Sequence, residues 1–295
     1  MLQFAGPTVL RVGVLSWILT SLLVVLIVLD PNAASATHPL QLHGALQRDA
    51  PLGIVSHRGA AALAPENTLA AFQLAIDQGV DFVETDVQLT ADGVAVLMHD
   101  PDVDRTTNGS GPLAGHTYEQ LAALDAGAWF SADYAGERVP TLTEFVTVLD
   151  AAPTRAFIEL KGEWPAERVG EAVELLRAHH LVHRVVLASF ERPTLEAIRA
   201  LAPEYATILL TRELDGETVD YAIGLQVSAV CARQQLIAEH PHALARLRAA
   251  GIGAIAYTLN SSKEWQEAVD QGLDFVVTDD PVTLAAWRLA AGHTT

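Results

Sequence analysis

The sequence predicts an α/β fold and, within that class, a single (β/α)8 TIM barrel. Apolar runs typical of strands alternate with helical patterns across residues 51–295, and no linker breaks them into domains. This length suits a barrel of eight βα units, which typically needs about 250 residues. Gly79, Gly251 and Gly272 each end a helical pattern just before a strand, as glycine does at helix C-termini. A doubly wound open sheet is the alternative architecture.

Hydrophobic periodicity gives the individual elements. The predicted strands are 52–56, 80–87, 94–98, 156–161, 184–189, 206–210, 226–231, 252–258 and 274–278. The predicted helices are 67–78, 117–123, 141–151, 166–180, 193–201, 241–250, 262–271 and 281–291. Nine strands exceed the eight places of the barrel, and the weakest are 226–231 and the pair 80–87 and 94–98. Only Thr90-Ala91-Asp92-Gly93 separates that pair, which indicates a hairpin rather than a crossover helix.

Residues 100–140 form the longest irregular stretch and are predicted to be an insertion in the barrel. Trp129, Phe130 and Tyr134 indicate that this insertion is packed and ordered. Long ordered loops in compact domains are usually functional, so we expect the insertion to lie near a site.

Charge limits the classes of partner. The chain has 36 acidic and 18 basic residues, a net charge of −18, and 50% of its residues are hydrophobic. Such a charge repels nucleic acid and attracts cations, so no nucleic-acid partner is expected. Cys231 is the single cysteine, so an intrachain disulfide is excluded. It lies in an apolar run, which predicts a small core residue.

The N-terminal segment predicts export. Residues 12–29 carry no charge and follow Arg11, and Ala34-Ser35-Ala36 fits a signal-peptidase site. Residues 1–36 are therefore expected to be a signal peptide or a retained anchor that contacts the membrane through 12–29. Residues 37–50 follow as a tether, and 51–295 form the folded domain. In both cases the domain faces outward, in the periplasm, outside the cell or on the envelope.

Four predicted strand ends carry polar residues that a barrel core would not select. Residues two apart on a strand share a face, and the C-terminal ends of parallel strands meet at one end of a barrel. These side chains are therefore expected to converge. They are His57 and Arg58, then Glu84 and Asp86, then His99 and Asp100, then Glu159 and Lys161.

This combination indicates phosphoryl chemistry on a diester. Clustered carboxylates repel one another unless a cation lies between them, and all-oxygen ligation suits Mg²⁺ or Ca²⁺. Arg58 and Lys161 then remain to bind an anion, and two histidines can transfer protons.

Each pair also has a simpler interpretation. Glu84 and Asp86 could be a solvated strand face, Glu159 and Lys161 an interior ion pair, and each histidine a loop residue. All four pairs at strand ends together favour a joint site. A separate cluster of histidines lies at the end of a predicted helix, where the helix dipole makes a structural role the expected one. It comprises His179, His180 and His183.

The ordered set of motifs resembles the glycerophosphodiester phosphodiesterase family. The resemblance runs from Ile54 to about Leu289. It rests on His57-Arg58-Gly59 with Pro65-Glu66-Asn67-Thr68, Glu84-x-Asp86, His99-Asp100, the segment 104–111, Gly127–Phe130, Pro140-Thr141-Leu142, Ile158-Glu159-Leu160-Lys161, Ser189-Phe190 and Thr278-Asp279-Asp280-Pro281.

The resemblance implies a TIM barrel, irregular around strands 2–3, that releases glycerol 3-phosphate and an alcohol from a small-molecule diester. It implies that one divalent cation, Ca²⁺ or Mg²⁺, is bound by the three acidic residues. Two histidines would be acid and base, in an order that the sequence leaves open, and two cations would hold the phosphate. The implied residues are Glu84, Asp86 and Glu159 for the metal, His57 and His99 for catalysis, and Arg58 and Lys161 for the phosphate.

One position departs from the family pattern. Where the family often has Trp-Thr-x-Asn, this chain has Tyr257-Thr258-Leu259-Asn260. Tyr257 is expected to contact substrate, and the smaller ring affects which substrates are preferred.

Three alternatives remain at this point. The first is lysophospholipase D activity on membrane lysolipids at the same site. The second is a non-catalytic envelope module that binds polyol phosphates, and the third is a structural barrel with a solvated charged mouth. The head group, the native metal, cleavage of residues 1–36 and the oligomeric state are left open.

Overall fold

The structure, a computed structural model, describes residues 2, 46 and 52–293. The expected signal peptide or anchor (1–36) and the expected tether (37–50) lie outside the described residues, apart from Leu2 and Leu46. Within the described ranges, none of the helices has the length and apolar character of a membrane-spanning segment.

Eight parallel strands close into a barrel, as the sequence predicts. The described residues form nine strands, of which all except β3 belong to the barrel: β1 (Gly53–Ser56), β2 (Phe82–Leu89), β3 (Ala95–Leu97), β4 (Arg155–Leu160), β5 (Val185–Ser189), β6 (Ala206–Leu210), β7 (Ala229–Arg233), β8 (Gly253–Tyr257) and β9 (Phe275–Thr278). Neighbours around the ring follow the order β1-β2-β4-β5-β6-β7-β8-β9, and β9 pairs with β1. Closure excludes the doubly wound open sheet.

The surplus strand is β3, which stands outside the ring. It pairs antiparallel with the end of β2, with Leu97 opposite Val87. Gly93, at φ +81°, completes the turn between them, and its N–H donates to the carbonyl of Thr90 at 2.9 Å. The predicted hairpin is therefore confirmed, and it lies beside a barrel that still closes.

Helices cover the outside of the barrel. They are α1 (Leu69–Asp77), α2 (Tyr118–Ala122), α3 (Leu142–Asp150), α4 (Ala166–Ala178), α5 (Arg192–Leu201), α6 (Gly216–Leu225), α7 (Gln234–Glu239), α8 (Pro241–Ala249), α9 (Ser262–Asp270) and α10 (Pro281–Ala290). Thr68 begins α1 as its N-cap, accepting a hydrogen bond from the N–H of Ala71. The three predicted helix-ending glycines all have positive φ, as expected.

Two helices, α6 and α7, were not predicted, and one predicted strand began too early. Gly216 and Gly224 weaken the helical pattern of α6, and its cap Gln226 takes φ +57°. Because α6 occupies residues up to 225, the predicted strand 226–231 is wrong at its start. The strand observed there is β7, which is displaced toward Arg233.

The insertion at 100–140 is ordered around its own small apolar cluster, which includes Val103, Leu113 and Leu121. The carboxylate of Asp125 accepts hydrogen bonds from three backbone N–H groups, which fixes the loop around 127–136. The prediction of a packed insertion is therefore confirmed.

Apolar side chains fill the N-terminal end of the barrel interior. Phe82 and Phe275, the first residues of β2 and β9, meet edge to face with ring centroids 5.4 Å apart. Leu46 is buried in the same cluster. A Cβ at Gly53 would lie 2.1 Å from the Phe275 ring, so this position requires glycine. The C-terminal end is left for polar groups, as in (β/α)8 enzymes generally.

Candidate active site

A cavity of about 570 Å³ opens at the C-terminal ends of the barrel strands. The eight residues selected from the sequence all line it. They come from β2, β4 and β8 and from the loops after β1, β3 and β4: His57, Arg58, Glu84, Asp86, His99, Glu159, Lys161 and Tyr257. The structure therefore brings together residues that the sequence places up to two hundred positions apart.

Three carboxylates form a buried cluster, called here the acidic side of the mouth: Glu84, Asp86 and Glu159. Each offers one oxygen, and these oxygens lie within 4.8 Å of one another. Asp86 on β2 and Glu159 on β4 are cross-strand partners in the parallel sheet, which explains their proximity. The described residues contain no other such group of three potential metal ligands.

Asn67 fixes the orientation of Asp86. Its Oδ1 accepts hydrogen bonds from the Thr85 hydroxyl at 2.9 Å and the Asp86 N–H at 3.2 Å. Its Nδ2 donates to Oδ2 of Asp86 at 2.9 Å. Asn67 has φ +56°, a left-handed conformation that asparagine tolerates well, and its side chain is buried. The Pro-Glu-Asn-Thr motif thus contributes a residue that holds the acidic side.

The two cations lie against these carboxylates. Lys161 donates from Nζ to Asp86 at 3.0 Å and to Glu159 at 2.8 Å. Arg58 donates from Nη1 to Glu66 at 2.8 Å, and its Nε lies 3.3 Å from Asp86. That Nε is buried and makes no hydrogen bond to any described residue.

The loop that carries Arg58 is tightly turned. Arg58 has φ +50°, and its backbone N–H donates to Glu84 at 2.8 Å. Gly59 follows at φ +86°, and a Cβ there would lie 2.7 Å from the backbone of Ala71. Left-handed residues of this kind are frequent in ligand sites, where the surroundings hold them in place.

Burial and repulsion shift the pKa values of the acids apart. Burial and the charge of Asp86 raise the pKa of Glu84 well above its usual range and that of Glu159 to about 7. Burial alone would raise the pKa of Asp86 too, but Lys161 and Arg58 hold it well below the ordinary value. Ionising all three carboxyl groups at once is energetically unfavourable unless a further positive charge is present.

His57 is held by an aspartate for which the sequence predicts no role. Its Nδ1 lies 2.5 Å from Oδ1 of Asp279, and Asn260 donates to the other oxygen at 2.6 Å. Burial alone would raise the pKa of Asp279, but the hydrogen bond and charge of His57 hold it below the usual value. Asp279 is therefore ionised at neutral pH and accepts a hydrogen bond from Nδ1–H of His57, which leaves Nε2 of His57 free for substrate.

His99 has a longer chain of supports that links it to the insertion. Its Nδ1 lies 2.8 Å from Asp100, and Arg105 donates to Asp100 at 2.5 Å and to Glu66 at 2.7 and 2.8 Å. Glu66 in turn holds Arg58. Burial lowers the pKa of His99 below its usual value, which favours the neutral imidazole at neutral pH.

The other residues considered from the sequence have structural positions. His179 pairs with Asp150 at 3.1 Å near the surface, consistent with its expected structural role at the end of α4. Cys231 is buried in the barrel interior, as expected of a small core residue.

Sequence reasoning missed several residues of the mouth. Asp279 and Asn260 were quoted as motif positions without a role, and Phe190 likewise; Arg212 and Arg233 were not considered. A signal for Asp279 was available, because Thr278-Asp279 ends an apolar strand just as Thr85-Asp86 lies in one.

The mouth therefore combines clustered carboxylates, anion-binding cations and two supported histidines, and in a (β/α)8 barrel this set defines a hydrolase of phosphoric esters. The model of the glycerophosphoryl diester phosphodiesterase family matches residues 57–283. The chain belongs to this family and is a phosphoric diester hydrolase, a glycerophosphodiester phosphodiesterase.

Individual relatives agree with the family match. A glycerophosphodiester phosphodiesterase of Caldanaerobacter subterraneus subsp. tengcongensis is 32% identical over 234 residues, covering 78% of this chain and 95% of its own. One from Bacillus subtilis is 32% identical over 246 residues, covering 77% of this chain and 83% of its own.

Solved structures share the fold. A phosphodiesterase of Oleispira antarctica, in complex with the product sn-glycerol-3-phosphate, is 31% identical with a TM-score of 0.74. The match covers 80% of this chain and 96% of that one.

Proposed function

We propose that this enzyme hydrolyses glycerophosphodiesters to sn-glycerol 3-phosphate and an alcohol, with one divalent cation, Ca²⁺ or Mg²⁺, bound at the acidic side. The observation that carries the proposal is the buried cluster of Glu84, Asp86 and Glu159 beside two anion-binding cations. The product bound to the Oleispira antarctica relative supports the choice of substrate class.

The three carboxylates fit such a cation. They offer oxygen ligands alone, which Ca²⁺ and Mg²⁺ prefer. The raised pKa values of Glu84 and Glu159 mark a site short of positive charge even with Lys161 and Arg58 in place. When bound, the ion would neutralise charge that develops on the phosphoryl oxygens.

Arg58 and Lys161 hold the phosphate in this proposal. Both line the cavity, and both are fixed by the acidic side rather than swinging freely. The Arg58 side chain keeps 15% of its surface exposed in the cavity, and its guanidinium would form charge-assisted hydrogen bonds with phosphoryl oxygens.

The two histidines transfer protons to and from the oxygens of the diester. Asp279 contacts Nδ1 of His57, which leaves Nε2 of His57 to transfer protons. Asp100 contacts Nδ1 of His99 in a similar way. One imidazole takes a proton from the attacking group, a water or a hydroxyl of the substrate, and the other gives a proton to the leaving alcohol. If the substrate hydroxyl attacks, water then opens the cyclic phosphate to give glycerol 3-phosphate.

Release of glycerol 3-phosphate from glycerophosphocholine tests the proposal. The full-length chain would be assayed after chelation and again with Ca²⁺ or Mg²⁺ restored. We expect chelation to abolish release and one of the ions to restore it. His57→Ala and His99→Ala should each lose at least about 10²-fold in kcat, while His179→Ala, a matched surface control, should behave as the wild type.

If neither Ca²⁺ nor Mg²⁺ supports release of glycerol 3-phosphate, the proposal is overturned for soluble diesters. A parallel assay with micellar lysophosphatidylcholine addresses the lysophospholipase D alternative. Choline release from the lysolipid alone would favour that activity, whereas release from glycerophosphocholine alone would count against it.

Export is part of the proposal and rests on the sequence. The uncharged run at 12–29 and the following Ala34-Ser35-Ala36 support a domain that acts outside the cytoplasm. Protease treatment of intact cells should degrade a surface-held domain, and activity confined to the cytoplasmic fraction would contradict export.

A further inference from the structure

The side of the mouth across from the acids carries two arginines, Arg212 and Arg233. Arg233 ends β7, and Arg212 lies two residues beyond the end of β6. Each is two positions after a residue of the barrel-interior cluster, Leu210 or Cys231, so each continues the inward-facing row of its strand. Both line the same cavity as the acidic side. In the ring, β7 stands four places from β2, directly opposite it.

Two aromatic rings connect these arginines. The guanidinium of Arg212 lies over the Phe190 ring, 4.1 Å from its centroid. Phe190 meets Tyr257 nearly perpendicularly, with centroids 6.2 Å apart. Tyr257 on β8 is the cross-strand partner of Arg233 on β7. These four residues form what is called here the cationic side: Phe190, Arg212, Arg233 and Tyr257.

Neither arginine is neutralised by the protein. Among residues 52–293, no carboxylate oxygen lies within 4 Å of the Arg212 or Arg233 guanidinium, although acidic residues outnumber basic ones two to one. Arg58 and Lys161, across the cavity, each contact two carboxylates. Glu264 also lines the cavity, but its Oε2 accepts hydrogen bonds from Ser261 and from the N–H of Asn260.

We propose that the cationic side binds a second anionic group of the substrate, so that the preferred glycerophosphodiesters carry a phosphate or carboxylate on the alcohol. The inference rests on the proposed function, because the diester phosphate must occupy the acidic side. Glycerol is common to all these diesters, so an additional anion belongs to the alcohol. The overall charge of −18 disfavours anionic ligands, so a preference for them has to come from positive residues inside the cavity.

Matched substrates test the inference. Glycerophosphoinositol 4-phosphate differs from glycerophosphoinositol by one phosphate, and glycerophosphoserine differs from glycerophosphoethanolamine by one carboxylate. In at least one pair, we expect the full-length wild type to prefer the anionic member by about 10- to 100-fold in kcat/KM. The reason is that only the anionic member can form charge-assisted hydrogen bonds with the two arginines. The two pairs distinguish phosphate from carboxylate. The preference should weaken as salt is raised.

Arg212→Gln and Arg233→Gln should each reduce this preference about 5- to 10-fold, and the double variant should remove it. Arg199→Gln is the matched control, since Arg199 is an arginine outside the cavity that contacts the carbonyl of Pro203. It should keep the wild-type preference. Unchanged thermal midpoints in all variants would show that folding is intact.

Equal turnover of both members in both pairs would overturn the inference and leave the proposed function standing. A preference that survives the double variant would also overturn it. If none of the four substrates is hydrolysed while glycerophosphocholine is, the inference is overturned and the proposed function stands. If glycerophosphocholine is not hydrolysed either, both are overturned.

Discussion

Two loops of the barrel hold an aspartate by the same three hydrogen bonds, one between β1 and β2 and the other between β8 and β9. In each, the Oδ1 atom of an asparagine accepts hydrogen bonds from a threonine hydroxyl and from the aspartate N–H, and its Nδ2 donates to the carboxylate. The two groups are the β2 clamp, Asn67, Thr85 and Asp86, and the β9 clamp, Asn260, Thr278 and Asp279.

The clamps differ in what surrounds the carboxylate. Asp86 is fully buried, contacts Lys161 and Arg58, and stands beside two further acids. Asp279 is one-third exposed at its side chain and contacts His57. One local device therefore orients a carboxylate in both places, and the neighbours decide whether it serves a cation or a histidine.

Removing the charge of the β2 clamp should have the largest effect. Asp86→Asn keeps the shape but takes a ligand from the proposed cation, and it leaves Lys161 and Arg58 with less counter-charge. We expect kcat/KM to fall at least about 10³-fold, because charge stabilisation by a metal is worth several kcal/mol. Steady-state release of glycerol 3-phosphate measures this.

The same variant tests the cation directly. Ca²⁺ or Mg²⁺ should raise the thermal midpoint of the wild type and not that of Asp86→Asn, because binding to the folded state is what stabilises. Asp220→Asn, which alters an exposed ion pair with Arg246, is the control. A loss below about tenfold in Asp86→Asn would mean that the β2 clamp has no special role.

Removing the charge of the β9 clamp should cost less, because its effect passes through His57. Asp279→Asn should lower kcat about 10²-fold, at the lower end of what acid–base catalysis contributes, and change KM little. The losses in kcat from Asp279→Asn and from His57→Ala should not add in the double variant, because both act through the same imidazole. Additive losses would indicate that Asp279 has only a structural role.

How far the sequence predicts the site follows from where its residues lie. Glu84, Asp86, Glu159 and Lys161 stand in or just beyond apolar strands, where a polar residue is conspicuous and the period of two gives its face. The closed barrel and the acidic side could therefore be predicted from the chain alone. Strand alternation and length favoured the barrel, although the surplus strand β3 left a doubly wound open sheet as the alternative.

The cationic side could not be predicted in this way. The strand predicted at 226–231 ended before Arg233, so that residue fell in a loop and its face could not be assigned. The shift arose from α6, whose two glycines hid it. The contact of His57 with Asp279 joins positions 222 residues apart, and only closure of the ring between β9 and β1 makes them neighbours.

The two asparagines of the clamps should contribute different amounts to the free energy of unfolding. Asn67 is buried, and Asn67→Ala leaves the Thr85 hydroxyl and the Asp86 N–H without an acceptor, so we expect a loss of about 2 kcal/mol in the free energy of unfolding. Asn260 is exposed, where water can replace the lost bonds, and Asn260→Ala should cost about 1 kcal/mol. Urea denaturation measures both, and equal losses would contradict the burial argument.

The threonines should give the smallest effects and reverse the order of the clamps. Both hydroxyls are fully buried and donate to an asparagine, at 2.9 Å for Thr85 and 3.0 Å for Thr278. Valine keeps the β-branched shape and removes only that bond, so Thr85→Val should cost about 0.5 kcal/mol, the lower end of what one hydrogen bond contributes. Thr278 also accepts a hydrogen bond from the N–H of Asp280, the N-cap of α10, so Thr278→Val leaves one more group unpaired and should cost slightly more. Combining Thr85→Val with Asn67→Ala should be less than additive, because the two share one hydrogen bond. Full additivity would mean that the clamp bonds act independently.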